Sequence, residues 1–120
     1  MIKEQLQRSR QLGQLAPANT TAAAIYSPSK GVIGEVSLLL ICNTSSSPVA
    51  YRIFHDKDGN TYAVGNALFY DVSLAANSTD IISLDFFGLA VLGDDDGTLG
   101  VRTDTADDVT FTVYGWEITK

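Results

Sequence analysis

The chain has one cysteine, one histidine, three prolines and one tryptophan in 120 residues. Cys42 alone excludes an internal disulfide and a cysteine-built zinc site. His55 alone excludes multi-histidine metal centres and the HExxH arrangement. Long apolar runs are missing too. The longest, Leu38 to Cys42, is far too short to cross a bilayer as a helix, so no membrane partner is expected. The charged N-terminus has no apolar run behind it and does not read as a secretory signal. Cations are scarce after residue 34. Arg52, Lys57, Arg102 and Lys120 face thirteen carboxylates there. Phosphate recognition needs clustered lysine and arginine, so nucleic acid is not an expected partner. No G-x-S-x-G is present, and the carboxylates fall in turns, where water screens them. An enzyme is therefore not expected, nor is a cofactor.

What is present is a hydrophobic content of 45% with 18% charged residues, which suits one folded domain. Charge is uneven. Residues 1–34 carry Lys3, Arg8, Arg10 and Lys30 against Glu4, whereas the remainder is strongly acidic, for a net charge of −6. Residues 1–19 are rich in Gln and Arg and poor in β-branched residues. Ile2 and Leu6 could share a helical face, and Gly13 and Pro17 limit any helix. This segment reads as an N-terminal arm, a short helix or extended strand followed by a linker. Its candidate interface residues are Ile2, Leu6, Arg8, Arg10 and Leu12. Residues 20–120 read as the body.

The body reads as β throughout. Short strands are expected at 23–26, 32–43, 49–55, 67–74, 79–84, 89–92, 98–103 and 109–118, divided by Gly, Asn, Asp, Ser and Pro turns. The expected fold is all-β, an antiparallel sandwich of the jelly-roll or immunoglobulin type. The expected core is Val36, Leu38, Leu40, Ile53, Leu84, Val91, Val101, Phe111 and Val113, from period-two alternation.

Asp94, Asp95 and Asp96 form a candidate cation site, because adjacent carboxylates repel unless exposed or bound to a cation. A solvated turn is the plainer reading. Asp104, Asp107 and Asp108 could join them in one acidic rim that docks a basic arm. Asp56, Asp58, Gly59 and Asn60 fit a hairpin turn better than a calcium loop, because the glycine is in the wrong place. Nine of the eleven aromatics, among them Tyr62, Phe86, Phe87, Tyr114 and Trp116, could serve a sugar platform or ordinary packing. Trp116, with Tyr114, is the best candidate for an interface anchor on the body.

Three segments carry a family resemblance. Leu12-Gly13-Gln14 runs to Ala16-Pro17-Ala18, then Thr20-Thr21-Ala22 and Ala24-Ile25-Tyr26. Pro28-Ser29-Lys30 leads into Val32 to Ile41 and Cys42-Asn43. Tyr70-Asp71-Val72 continues through Leu74-Ala75-Ala76-Asn77-Ser78-Thr79 to Ile81, and Val113-Tyr114-Gly115-Trp116-Glu117 closes the chain. The sequence resembles small β-rich virion structural proteins of tailed bacteriophages, of the marine and cyanobacterial type. It departs from them in the acidic turn at residues 93–97 and in the arginines before Leu12. The resemblance implies a virion protein assembled in the bacterial host cytoplasm, with no catalytic residues. The expected role is a capsid decoration or cement protein. It would bind the major capsid protein through its arm and self-associate, with a trimer favoured. A tail or baseplate component and a carbohydrate-binding host-recognition module remain open.

Overall fold

The structure is a computed structural model that describes residues 9–84 and 89–119. Ile2, Leu6, Arg8, Phe86 and Phe87 lie outside the described residues. Among the described residues nine strands form two antiparallel sheets: β1 (Arg10–Leu15), β2 (Ala23–Tyr26), β3 (Val32–Asn43), β4 (Val49–Asp56), β5 (Ala67–Leu74), β6 (Thr79–Ser83), β7 (Leu89–Leu92), β8 (Thr98–Thr103) and β9 (Val109–Thr119). The first sheet runs β1-β9-β3-β6, with β7 also on β3. The second runs β2-β8-β4-β5.

β6 and β7 share one sheet position. β6 pairs with β3 from Leu38 to Cys42, and β7 pairs with it from Ile33 to Val36. Counted as one interrupted strand, they leave four positions in each sheet. The chain then crosses between sheets at every step except β4 to β5, and it closes with β9 between β1 and β3. That is the jelly-roll order. It settles the choice the sequence left open, because an immunoglobulin sandwich groups its strands differently.

Between the sheets lie Val36, Leu39, Ile41, Tyr51, Ile53, Leu99, Val101, Val109, Phe111 and Val113, all buried. Each contributes about 1.5–3 kcal/mol on full burial. Tyr51 meets Phe111 edge to face, with ring centroids 6.2 Å apart. Its hydroxyl donates to Asp80 Oδ2 at 2.8 Å, across to the edge of the first sheet. At the end of β3 the buried Asn43 amide donates to Ser47 O and Ala75 O and accepts from Ser45 N. It thereby ties together two loops whose backbone groups would otherwise lack partners.

Six expected core residues are placed as read, or nearly so: Val36, Ile53, Val91, Val101, Phe111 and Val113 are buried. Leu84 is partly buried against the core. Leu38 and Leu40 are not core residues. β3 carries a bulge between Val36 and Leu38, so Ser37 is one residue too many for the ladder. The extra residue inverts the alternation. Gly34 and Val36 point inward before it, Leu39 and Ile41 after it, and Leu38 and Leu40 turn to the outer face.

The segment set apart as an arm also needs revision from Arg10 onward. β1 is a strand of the first sheet, paired with β9 from Arg10↔Gly115 to Leu15↔Phe111. Leu12 is the extra residue of a bulge between Gln11 and Gly13, and it packs with Leu15 against the core. Arg10 forms an ion pair with Glu117 of its own chain. Tyr26 donates its hydroxyl to the other oxygen of that carboxylate. The Tyr26 ring lies over Gly34, where a Cβ would fall 2.2 Å from the phenol oxygen, so glycine is required there. Burial and the Glu117 carboxylate together push the Tyr26 phenol well above its ordinary range.

Candidate assembly face

The outer face of the first sheet is unusually apolar for a surface. Residues paired across antiparallel strands share a face. Leu40 pairs with Ile81, Leu38 with Tyr114 and Ile33 with Leu92. Trp116 sits opposite Glu35 on the same side. Ile81 is 69% exposed and Leu92 36%. Between them Leu38, Leu40, Tyr114 and Trp116, with Ser9 and Ser37, line a groove of about 530 Å³. Large apolar side chains gathered on one face mark an interaction surface more often than scattered ones do. The bulge at Ser37 makes this face, because it turns two leucines away from the interior.

Trp116 and Tyr114 are therefore neighbours on one face, as the two candidate anchors of the body. Ser9, the residue that follows the charged leader, forms part of the groove wall. Arg10 pairs with Glu117 with its side chain still more than half exposed, and Leu12 packs against the core.

The acidic residues are arranged differently from the expectation. Asp94, Asp95 and Asp96 do not converge. Asp94 Oδ1 accepts the Gly31 N–H at 2.7 Å, and Asp96 pairs with Lys30 at 3.3 Å. Asp96 takes the left-handed conformation that ends a tight turn over Gly93–Asp95. Among the described residues no group of three carboxylate, thiol or imidazole side chains is placed to hold a metal ion. The single acidic rim is not formed either. Residues 93–97 precede β8 and residues 104–108 follow it, so the two turns lie at opposite ends of a six-residue strand, about 20 Å apart. In the second turn Asp104 Oδ1 accepts the Ala50 N–H at 3.0 Å, which makes it a loop clamp.

His55 is half-buried, and burial lowers its pKa below the ordinary imidazole value, partly opposed by Asp56. Asp56 accepts the backbone N–H groups of Thr61 and Asp58, which hold its carboxyl below the usual range and shape the hairpin turn.

Sequence reasoning passed over one further cluster, on the outer face of the second sheet. Arg52 and Arg102 are directly opposite each other on β4 and β8. Asp71 binds Arg52 through both carboxylate oxygens, at 2.7 and 3.2 Å, and lies 3.8 Å from Arg102. Nothing in local sequence spacing joins these three residues. Only the register of β4, β5 and β8 does.

No protein-family model matches the chain, and no curated protein matches it in sequence. Solved structures do resemble it. A chain of the T13 infectious bursal disease virus particle superposes with a TM-score of 0.52 at 10% identity, over 94% of this chain and 31% of that one. A Bacillus endospore appendage protein gives a TM-score of 0.49 at 18% identity, over 94% and 86%. A capsid chain of Ralstonia phage GP4 gives 0.44 at 10% identity, over 95% and 84%. The likeness is one of fold. The chain spans about a third of the length of the bursal disease virus chain.

Proposed function

We propose that the chain is a structural subunit of a virus particle that associates through the outer face of its first sheet. The supporting observation is that apolar face, with Ile81 69% exposed beside Leu38, Leu40, Tyr114 and Trp116, on a jelly roll. The fold likeness to a viral particle chain agrees with this reading. The sequence resemblance to tailed-phage virion proteins narrows it. The chain is then a capsid decoration or cement protein, assembled in the bacterial host cytoplasm and bound to the major capsid protein, with tail or baseplate placement as the other location. Residues 1–8 act as the attachment arm. They bring Ile2, Leu6, Lys3 and Arg8 to a neighbouring subunit, starting from the groove wall at Ser9.

The areas are consistent. A stable contact buries about 800 Å² per partner. Against an accessible surface of 6658 Å², that is roughly an eighth, more than a flat face of so small a body offers easily without an added arm. Copies would repeat one contact by symmetry, with a trimer as the favoured state.

The test is sedimentation velocity of the full chain, alone and mixed with particles stripped of it. Ile81→Asp is expected to abolish both self-association and particle binding while leaving the thermal melt intact. Deletion of residues 1–8 is expected to reduce particle binding alone. Full binding by Ile81→Asp would refute the assigned face.

A further inference from the structure

The Arg52–Arg102 pair is an anomaly. Like charges directly opposite on neighbouring strands destabilise a sheet, yet here they occupy the centre of an outer face in a chain with net charge −6. Their side chains are 24% exposed, so they are held in place and do not extend into solvent. Asp71 partly neutralises them, and backbone strain is spent to put it there. Asp71 lies at φ 53, left-handed, where β5 bulges between its pairings with Tyr51 and Ile53. Bulges re-aim side chains, and backbone strain gathers at functional sites. Tyr70 lies under the Arg52 guanidinium, 3.9 Å from ring centre to Cζ, which fixes its plane.

One carboxylate does not satisfy two guanidinium groups. Asp71 takes Arg52 Nε and Nη2, and Thr20 O takes Arg102 Nε. Both arginines, with donors left over, line a pocket of about 430 Å³ together with Thr20, Thr21, Ala22, Phe54, Asn60 and Tyr62. Tyr62 is locked. It packs against Phe54, its hydroxyl bonds Thr98 Oγ1 at 2.9 Å, and its ring covers Gly100, where a Cβ would fall 2.5 Å away. The pocket thus offers spare guanidinium donors, two threonine hydroxyls, a carboxamide and a fixed aromatic edge. A bare inorganic anion only accepts, so it leaves the acceptor oxygens of the hydroxyls and the carboxamide unused. Hydroxyls and an amide around a central positive charge match a polyol that carries a carboxylate.

We propose that this pocket binds an acidic sugar residue, with the ligand carboxylate on Arg102 and Arg52 and its hydroxyls on Thr20, Thr21 and Asn60. The site lies on the sheet opposite the apolar face, so it is free to act while that face is occupied. It does not depend on the virion reading.

The experiment is NMR titration of the full chain with the methyl glycosides of galacturonate and N-acetylneuraminate, with methyl galactoside as the neutral control. At least one acidic glycoside is expected to shift amides around Thr20, Asn60 and Arg102, with the neutral one at least about tenfold weaker. Arg102→Gln is expected to cost about tenfold or more in affinity. Should that variant fail to fold, Asn60→Asp leaves the Arg–Asp network untouched, and its added carboxylate is expected to weaken the acidic ligand several-fold and spare any neutral binding. Acetate and inorganic phosphate are expected to compete only at concentrations well above the glycoside. Binding of neither acidic glycoside, equal binding of the neutral one, or equal competition by acetate or phosphate would overturn the assignment.

Discussion

Ser37 decides which leucines hold the fold together. Strict alternation along residues 32–43 puts Leu38 and Leu40 inside, and the sequence carries no mark of the extra residue. The bulge becomes visible only through the partners, where β3 changes from pairing with Leu89 to pairing with Ser83. Leu39→Ala is therefore expected to cost about 2–5 kcal/mol in urea unfolding, as a buried leucine does. Leu40→Ser is expected to change stability by no more than about 1 kcal/mol, as surface substitutions do. The reverse ranking would mean that the bulge is absent. His55 supplies a second check. Burial favours its neutral form, so the unfolded chain takes up the proton first as the pH falls through about 6.5. The associated stability is whole above that value and is lost below it. The melting temperature is expected to decline between about pH 7 and 5, and His55→Gln is expected to flatten that decline. The arginine pair was illegible for a different reason. Residues 19 and 50 positions away from one another in sequence become neighbours only through sheet register, which no local pattern encodes.

At the scale of the element, β2 to β9 were legible because their alternation is strong and their turns are rich in Gly, Asn, Asp, Ser and Pro. β1 was not. Its sequence, RQLGQL, holds no β-branched residue, and the bulge at Leu12 breaks its alternation. An edge strand pairs on one side only, so weak propensity is tolerated there. The first sheet therefore takes in the chain from Arg10 onward. Two truncations distinguish the parts. Removal of residues 1–8 is expected to leave the melting temperature nearly unchanged. Removal of residues 1–15 strips β9 of one of its two partners and uncovers the core beside Leu12 and Leu15. That loss is comparable with a small domain's whole stability of about 5–15 kcal/mol, and a non-cooperative melt is expected. Equal melts for the two truncations would show that β1 contributes nothing.

On the scale of the whole molecule, the two outer faces differ in kind. One is apolar and grooved, with Ser9 in the groove wall. The other carries the arginine pair and a polar pocket. Acidic turns lie at both ends of β8. The asymmetry suits a particle subunit that turns one sheet toward its neighbours and the other outward. The fold class could be read from residues alone, whereas the grouping of Tyr114 and Trp116 with Leu38, Leu40 and Ile81 on one face required the register. Hydroxyl-radical footprinting of the chain in the assembled particle, compared with the dissociated chain, probes this arrangement directly. Trp116, Tyr114, Leu40 and Ile81 are expected to become protected on assembly, while Tyr70 and Leu68 on the opposite sheet keep their reactivity. Protection of Tyr70 and Leu68 with Trp116 and Ile81 unchanged would contradict it.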